Sequence, residues 1–426
     1  MGRFDSGQRH LKPLTDVVFM KVNRAYKTEL KPNKSQLQLL EQHAGTARFT
    51  YNWGLNLRIQ AHKNGSGEKL NSISLHKKLT SLKKKEFPWM YEVSKCAPQE
   101  ALRDLDKSYE GFFRRVKKGE TPGFPKFKSK HNSNKSFRLY GVIKILEAGA
   151  IQLPVLGKLR LKEKNYFPQK GVKIISATVS SRAGRWFVSL SVEEEILNSV
   201  VTISSEVIGI DLGIKTLAVT SEGNYFNNPK ALNSKLKKLK KFSRKHSKKK
   251  RGSKNRKKSS KKLAKLHYKI YNIRKDSIHK MTTQLVKAKP TAIVIEDLAV
   301  KNMLKNRRLS RSLADSSFGE IRRQLDYKCG WTGIDLVVVD RFFPSSKTCS
   351  SCGNVKAELK LSERVYKCEN CDASLCRDLN AAYNLRNYYF EHNAPTSSSG
   401  ESNACGDAGL LASLKQEMES GLSSIT

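Results

Sequence analysis

Three stretches of this chain each place a carboxylate where an apolar run ends or a helix begins, and no other feature restricts the fold as much. In Val207 to Ser221, VIGIDLGIKTLAVTS, the β-branched Val207, Ile208 and Ile210 lead to Asp211, a turn at Leu212-Gly213 and a second apolar run at Leu217 to Val219. That pattern predicts a β-hairpin with an acid near the end of its first strand. Pro290 to Val300, PTAIVIEDLAV, is another β-branched run, ending on the adjacent acids Glu296 and Asp297, and its length favours a buried strand over a helix. Cys376 to Tyr388, CRDLNAAYNLRNY, is polar first and alanine-rich afterwards, which predicts a helix with Asp378 near its N-terminus. Asp211, Glu296 and Asp378 are separated by 85 residues (211 to 296) and 82 (296 to 378), so they meet only if the chain folds back on itself. Taken singly, Asp211 is equally well an acid that closes a turn. Gathered at one point, the three acids repel one another strongly unless divalent metal neutralises them. Such a cluster suits two-metal phosphodiester cleavage, in which ions roughly 3.5 to 4 Å apart activate a water and stabilise the leaving oxygen.

Charge narrows the partner. The 426 residues carry 81 Lys plus Arg against 38 Asp plus Glu, a formal +43, which opposes compaction and calls for a polyanion. Nucleic acid fits; a ribosomal-type RNA binder or a membrane-surface protein would share the charge. No apolar run approaches the roughly 18 residues of a spanning helix, and no signal-peptide core follows the basic N-terminus, so a cytoplasmic, nucleoid-associated protein is expected. Of eight cysteines, four form two Cys-x-x-Cys pairs, Cys349/Cys352 and Cys368/Cys371, with fifteen residues between the pairs. This spacing predicts a closed tetrahedral zinc in a reducing compartment. Four thiolates leave no open position and disfavour Mg²⁺, so any catalytic magnesium belongs to the acids.

The remaining chain reads as a lobe of strands and helices followed by a basic hairpin. Residues 1–23 read as a flexible leader, in which Val17, Val18 and Phe19 could also begin a strand, and Arg24 to Leu30 as a strand. Asn33 and Gln36 form a capping-box variant ahead of Leu37, Leu40, Ala44, Ala47, Tyr51 and Leu55 at helical spacing. A second stripe, Ala101, Leu102, Leu105, Tyr109, Phe112, Phe113 and Val116, ends in Arg114, Arg115, Lys117 and Lys118; these cations suit either the helix dipole or phosphate. In Gly119 to Lys130, GETPGFPKFKSK, the prolines and glycine prevent a helix, while Phe124 and Phe127 interleave with Lys126, Lys128 and Lys130 as in a nucleic-acid-binding loop. Strand signals run from Ser136 to Val192, predicting with the early strand one β-barrel-like unit interrupted by a helical insertion at about 33–118. Val192 to Ser205 reads as a linker. Between Lys235 and Lys262, 17 of 28 residues are Lys or Arg, which predicts two helices joined by a mobile basic tip around Lys248 to Ser260. His279 reads as a structural histidine, Ile334 to Val339 as a strand, and 391–426 as a disordered tail.

GIDLGIKTLAV, IVIEDL and RDLNAAYN, in this order, resemble the three motifs of the split RuvC nuclease of TnpB proteins, the insertion-sequence-encoded, RNA-guided nucleases related to type V CRISPR effectors and also described as OrfB transposases. The GFPKFK segment and the opening strand with its ARFTYNW helix are similar to that family too. The resemblance implies an α/β multi-domain protein: a wedge β-barrel with a recognition insertion over 24–205, and an RNase H-like RuvC domain from 206 to 345 that includes a basic helical hairpin at 230–285. A zinc ribbon at 346–374, the last RuvC helix at 375–390 and the tail complete it. It implies catalytic Asp211, Glu296 and Asp378 holding Mg²⁺, guide RNA and target DNA as partners, and a separate transposase as a possible companion. Cys376 departs from the pattern, since family members commonly carry an acid two residues before the last catalytic aspartate. A nuclease-silent RNA-guided repressor, or a transposase or strand-transfer accessory, are the rival readings.

Overall fold

The computed structural model describes residues 18–65, 67–130, 135–147, 149–168, 171–198, 204–360 and 362–393. The expected leader up to 17 and the expected tail from 394 lie outside them. Over the N-terminal part the order is β1 (Val18–Lys31), α1 (Lys34–Lys63), α2 (Ser72–Lys83), α3 (Cys96–Lys117), β2 (Ser136–Leu139), β3 (Lys144–Leu146), β4 (Ala150–Leu153), β5 (Gly157–Leu161), β6 (Val172–Arg182) and β7 (Arg185–Asn198). These strands make one seven-stranded antiparallel sheet in the order β2-β6-β7-β1-β5-β4-β3. β1 is its hub, pairing β7 along Val18 to Glu29 and β5 at Leu30 and Lys31. The strand thus starts at Val18, ahead of the Arg24 expected.

The expected capping box forms. Asn33 Oδ1 accepts from the Gln36 amide at 2.8 Å and Gln36 Oε1 accepts from the Asn33 amide at 3.0 Å, starting a 30-residue helix. Its stripe of Leu40, Ala44, Ala47, Tyr51 and Leu55 is buried in one core with Ala101, Leu102 and Leu105 of α3 and with inward residues of the sheet. The predicted linker is corrected here: Val192 to Asn198 is the end of β7, not a connector. One of its glutamates, Glu194, is held by partners 168 and 170 residues away, since Tyr26 Oη donates to its Oε1 at 2.6 Å and Arg24 Nη1 to its Oε2 at 3.0 Å. Composition alone presents those acids as a solvated link.

The C-terminal part runs β8 (Ser204–Asp211), β9 (Thr216–Thr220), β10 (Tyr225–Asn227), α4 (Ala231–Ser247), α5 (Lys254–Lys287), β11 (Pro290–Glu296), α6 (Val300–Met303), α7 (Ser310–Ser316), α8 (Phe318–Thr332), β12 (Asp335–Val339), β13 (Val365–Lys367), β14 (Ser374–Cys376) and α9 (Arg377–Asn393). Five strands form a mixed sheet, β10-β9-β8-β11-β12, with β11 parallel to both β8 and β12. Alternation divides its faces. Ile208, Ile210, Ile293 and Ile295 pack with Ile278, Met281 and Leu285 of α5 and Phe318, Ile321 and Leu325 of α8. Val207, Ala292, Val294 and Val339 pack instead with Leu385 of α9.

The basic hairpin also differs from expectation. α5 begins at Lys254, so the connection between the two helices spans only residues 248–253 rather than reaching Ser260. Ser253 caps the helix by accepting from the Arg256 amide at 3.1 Å, and the Arg256 guanidinium donates back to the Lys249 carbonyl at 2.7 Å. A lysine-rich composition hides both bonds. At the base, buried Asp315 accepts from the Leu232 amide at 3.0 Å and from Arg274 Nε at 2.7 Å, tying α4 and α5 to α7.

Candidate active site

Register brings the first two acids together. Ile210 of β8 is paired with Ile295 of β11, so the next residues, Asp211 and Glu296, are side by side at the strand ends. Asp211 shares its parity with Val207 and Gly209, and Glu296 with Ala292 and Val294, so both belong to the sheet face covered by α9. Asp378 is the second residue of that helix. Gly209 allows the close approach: a Cβ there would overlap the Ala382 carbonyl oxygen and lie 2.5 Å from the Arg386 amide nitrogen. Ala381 and Ala382 are fully buried for the same reason.

The convergence is visible in Asp211. Its carboxyl is raised to about 7, first by burial and then by the negative charges of Glu296 and Asp378, against a smaller opposing pull from Arg377 and Arg364. Those two arginines lie 3.7 and 3.8 Å from Asp378. Glu296 accepts a hydrogen bond from the Ser345 hydroxyl. Asp297, its neighbour, points elsewhere and is already neutralised: Arg322 Nη1 is 2.7 Å and Arg341 Nη2 2.6 Å from its carboxylate, and this pairing holds its pKa below the usual range. Asp211, Glu296 and Asp378 are oxygen donors of the hard kind that divalent cations take, and a cation among them would relieve the burial and like charge that raise Asp211.

A stability test follows from the sign of this shift. Folded Asp211 holds its proton up to about 7, whereas an unfolded aspartate releases it near 3.9, so its contribution is complete below about pH 4 and lost as pH rises to 7. Without metal, Asp211→Asn should match the parent at pH 4 and exceed it at pH 8 by up to about 4 kcal/mol. Magnesium should stabilise the parent more at pH 8 than at pH 6. Denaturation of both proteins across this range, with and without Mg²⁺, measures the effect.

The cysteine quartet is assembled as its spacing predicts. Cys349, Cys352, Cys368 and Cys371 place their sulfurs within 4.8 Å of one another. Cys349 and Cys371 are 3.7 Å apart, and Cys352 and Cys368 3.6 Å. Four thiolates at about 2.3 Å from one zinc would stand about 3.8 Å apart, so the quartet fits that ion. The Asn370 backbone N–H donates to the Cys368 sulfur at 3.4 Å, a bond that favours the thiolate there. Gly353, at φ 75°, makes the turn after the first pair. Cys376 lies outside the quartet, at the end of β14, hydrogen-bonded to the Tyr225 phenol.

Comparison with known proteins places these elements in one family. Residues 20–67 match a family described as a helix-turn-helix domain, 187–307 one described as "Probable transposase", and 318–385 the TNB domain of Cas12f1-like proteins. A "Putative RNA-guided DNA endonuclease" of Streptomyces pristinaespiralis is 35% identical over 371 residues, covering 86% of this chain and 90% of the relative. The chain belongs to the TnpB family. InsQ of Escherichia coli K12, with the same description, is 32% identical over 86% of this chain and 92% of its own length. The Cas12f1–sgRNA–target DNA complex shares the fold, with a TM-score of 0.51 at 14% identity, covering 86% of this chain and 99% of that one. As in the TnpB reading of the sequence, 20–67 is a strand and one long helix in this structure, not two helices joined by a turn.

The other residues expected to meet nucleic acid separate into two kinds. Phe124, Phe127, Lys126 and Lys130 are exposed, and Phe124 meets Tyr109 and Phe112 edge-on at 5.7 and 5.5 Å. Lys128 is turned inward: its ammonium lies 3.7 Å from the Tyr51 ring centre, and Asn52 brackets its backbone. Arg114 is exposed, while Arg115 donates to the Gly123 carbonyl at 3.2 Å and so braces the loop. Residues that the sequence reading passed over complete the active end. Asn380 and Asn384 of α9, both buried, donate at 2.7 Å to the Thr348 carbonyl, and Asn384 also to that of Ser345. Two amides four apart beside buried alanines were the available signal.

Proposed function

We propose that this protein is an RNA-guided DNA endonuclease of a transposable element, cutting phosphodiester bonds at Asp211, Glu296 and Asp378. The observation that carries the reading is the register that sets Asp211 and Glu296 side by side at the ends of two parallel strands, on the face covered by the helix whose second residue is Asp378. The sheet order β10-β9-β8-β11-β12, its first three strands antiparallel and the rest parallel, supports an RNase H-like RuvC domain. Bound at the acids, magnesium would activate water and stabilise the leaving oxygen. The three carboxylates would hold the ions, Ser345 would keep Glu296 in one orientation, and Arg364 and Arg377 would limit the net negative charge that incoming phosphate meets. Zinc on the four cysteines would fix the segment before Asp378 as a ribbon, and the seven-stranded sheet with α1 to α3 would serve as the wedge and recognition lobe.

Guide RNA and target DNA account for the +43 charge. Both kinds of nucleic acid are present in the Cas12f1 complex that shares the fold, and a protein acting on them would work in the cytoplasm; among the described residues no helix is long and apolar enough to cross a membrane. RNA that copurifies with the protein should contain a segment that directs Mg²⁺-dependent cutting of matching DNA; intact DNA under those conditions would defeat the reading. The basic hairpin contributes to polyanion binding through exposed Lys248, Lys250, Arg251 and Lys257. Changing these four to Gln should reduce the slope of log affinity against log salt by up to about 3.6, at about 0.9 for each duplex phosphate left without its cation. A salt titration of binding by the parent and this variant provides the comparison.

A further inference from the structure

Ser345 is buried, yet its hydroxyl is spent on a carboxylate. It lies in a tight turn in which the Lys347 and Thr348 amides donate to the Pro344 carbonyl at 2.9 and 3.0 Å. Its hydroxyl donates to Glu296 Oε1, and its own carbonyl accepts from Asn384 Nδ2 at 2.7 Å. The same amide group donates at 2.7 Å to Thr348, the residue before Cys349. Asn380 donates to Thr348 as well and accepts from the Ser350 amide at 3.0 Å, the residue after Cys349. An unbroken hydrogen-bonded path therefore runs from either side of a quartet cysteine, through two asparagines of α9, to one oxygen of Glu296. Asp378 is borne on that same helix.

A glutamate has three rotatable bonds, and an ion-holding carboxylate needs one orientation. Donation from Ser345 to Oε1 selects that orientation and leaves Oε2 free of this bond, while the turn and Asn384 hold Ser345 itself. Hydrogen bonds of this type, one step behind a metal ligand, commonly affect metal affinity or activity about 10- to 100-fold. We propose that Ser345 is a positioning residue for Glu296, set in place by Asn384, so that assembly of the cysteine quartet is coupled to divalent-ion binding at the acids. The inference rests on the proposed reading of Glu296 as an ion-holding residue.

The test is Mn²⁺ binding to the full-length, zinc-loaded protein, followed by loss of the free-ion electron paramagnetic resonance signal. Ser345→Ala should raise half-saturating Mn²⁺ about 10- to 100-fold, and Ser345→Thr should restore it. Asn384→Asp, which turns oxygens toward the Ser345 and Thr348 carbonyls, should weaken binding similarly with zinc still at one per chain. Parent-like Mn²⁺ binding by Ser345→Ala, alongside weakened binding by Glu296→Gln, would overturn the positioning role and leave the active site standing. Parent-like binding by Glu296→Gln would instead overturn the reading of the acids on which the inference rests.

Discussion

Asp211→Ala will lower Mg²⁺-dependent DNA cleavage by at least about a thousandfold, about 4 kcal/mol of barrier, while RNA still copurifies with the protein. The reason lies in its place between the other acids. Glu296 is beside it across the parallel pairing of β8 and β11, and the Asp378 charge reaches it from α9. Removing its carboxylate removes a proposed metal ligand and leaves the polycationic surfaces intact, so catalysis and RNA retention should part company. Single-turnover cleavage on guide-matched DNA, with RNA content measured on the same preparation, checks both halves. A variant that cuts like the parent would take Asp211 out of the chemistry.

Gly209→Ala will destabilise the protein by about 3 kcal/mol or more and abolish cleavage with it. The added methyl group would fall on the backbone of α9, against the Ala382 carbonyl and the Arg386 amide, and backbone cannot give way as a flexible side chain can. Lifting α9 also displaces Asp378. Gly330→Ala is the matched control, because a Cβ at that helical position meets nothing within 4 Å; it should leave stability unchanged or raise it by up to about 1 kcal/mol. Denaturant midpoints of the two variants against the parent decide the matter, and equal midpoints would show that α9 does not press on β8 as described.

Much of this end of the molecule was legible because a short β-branched run is a local signal. Val207 to Ile210 and Ala292 to Ile295 read as strands, and each acid follows its run directly, so the structure had only to supply the register that pairs them. The capping box of α1 and the cysteine spacing are equally local. What was hidden depends on partners distant in sequence. Glu194 reads as linker until Arg24 and Tyr26 are placed beside it, and the helical spacing of Asn380 and Asn384 gains its meaning only when the segment from Ser345 to Ser350 is folded against them. The basic tip was mistaken for a longer mobile stretch because one serine cap and one arginine returning to a carbonyl are invisible in a run of lysines. Lys128 belongs to the same class, since its alternation with Phe124 and Phe127 reads as exposed while Tyr51, from α1, draws it inward.

Anomalous scattering from crystals of the protein with guide RNA, DNA and Mn²⁺ asks the central question most directly. The account predicts manganese peaks bounded by the side chains of Asp211, Glu296 and Asp378. A complex that cuts DNA when dissolved yet carries its manganese away from all three would contradict it.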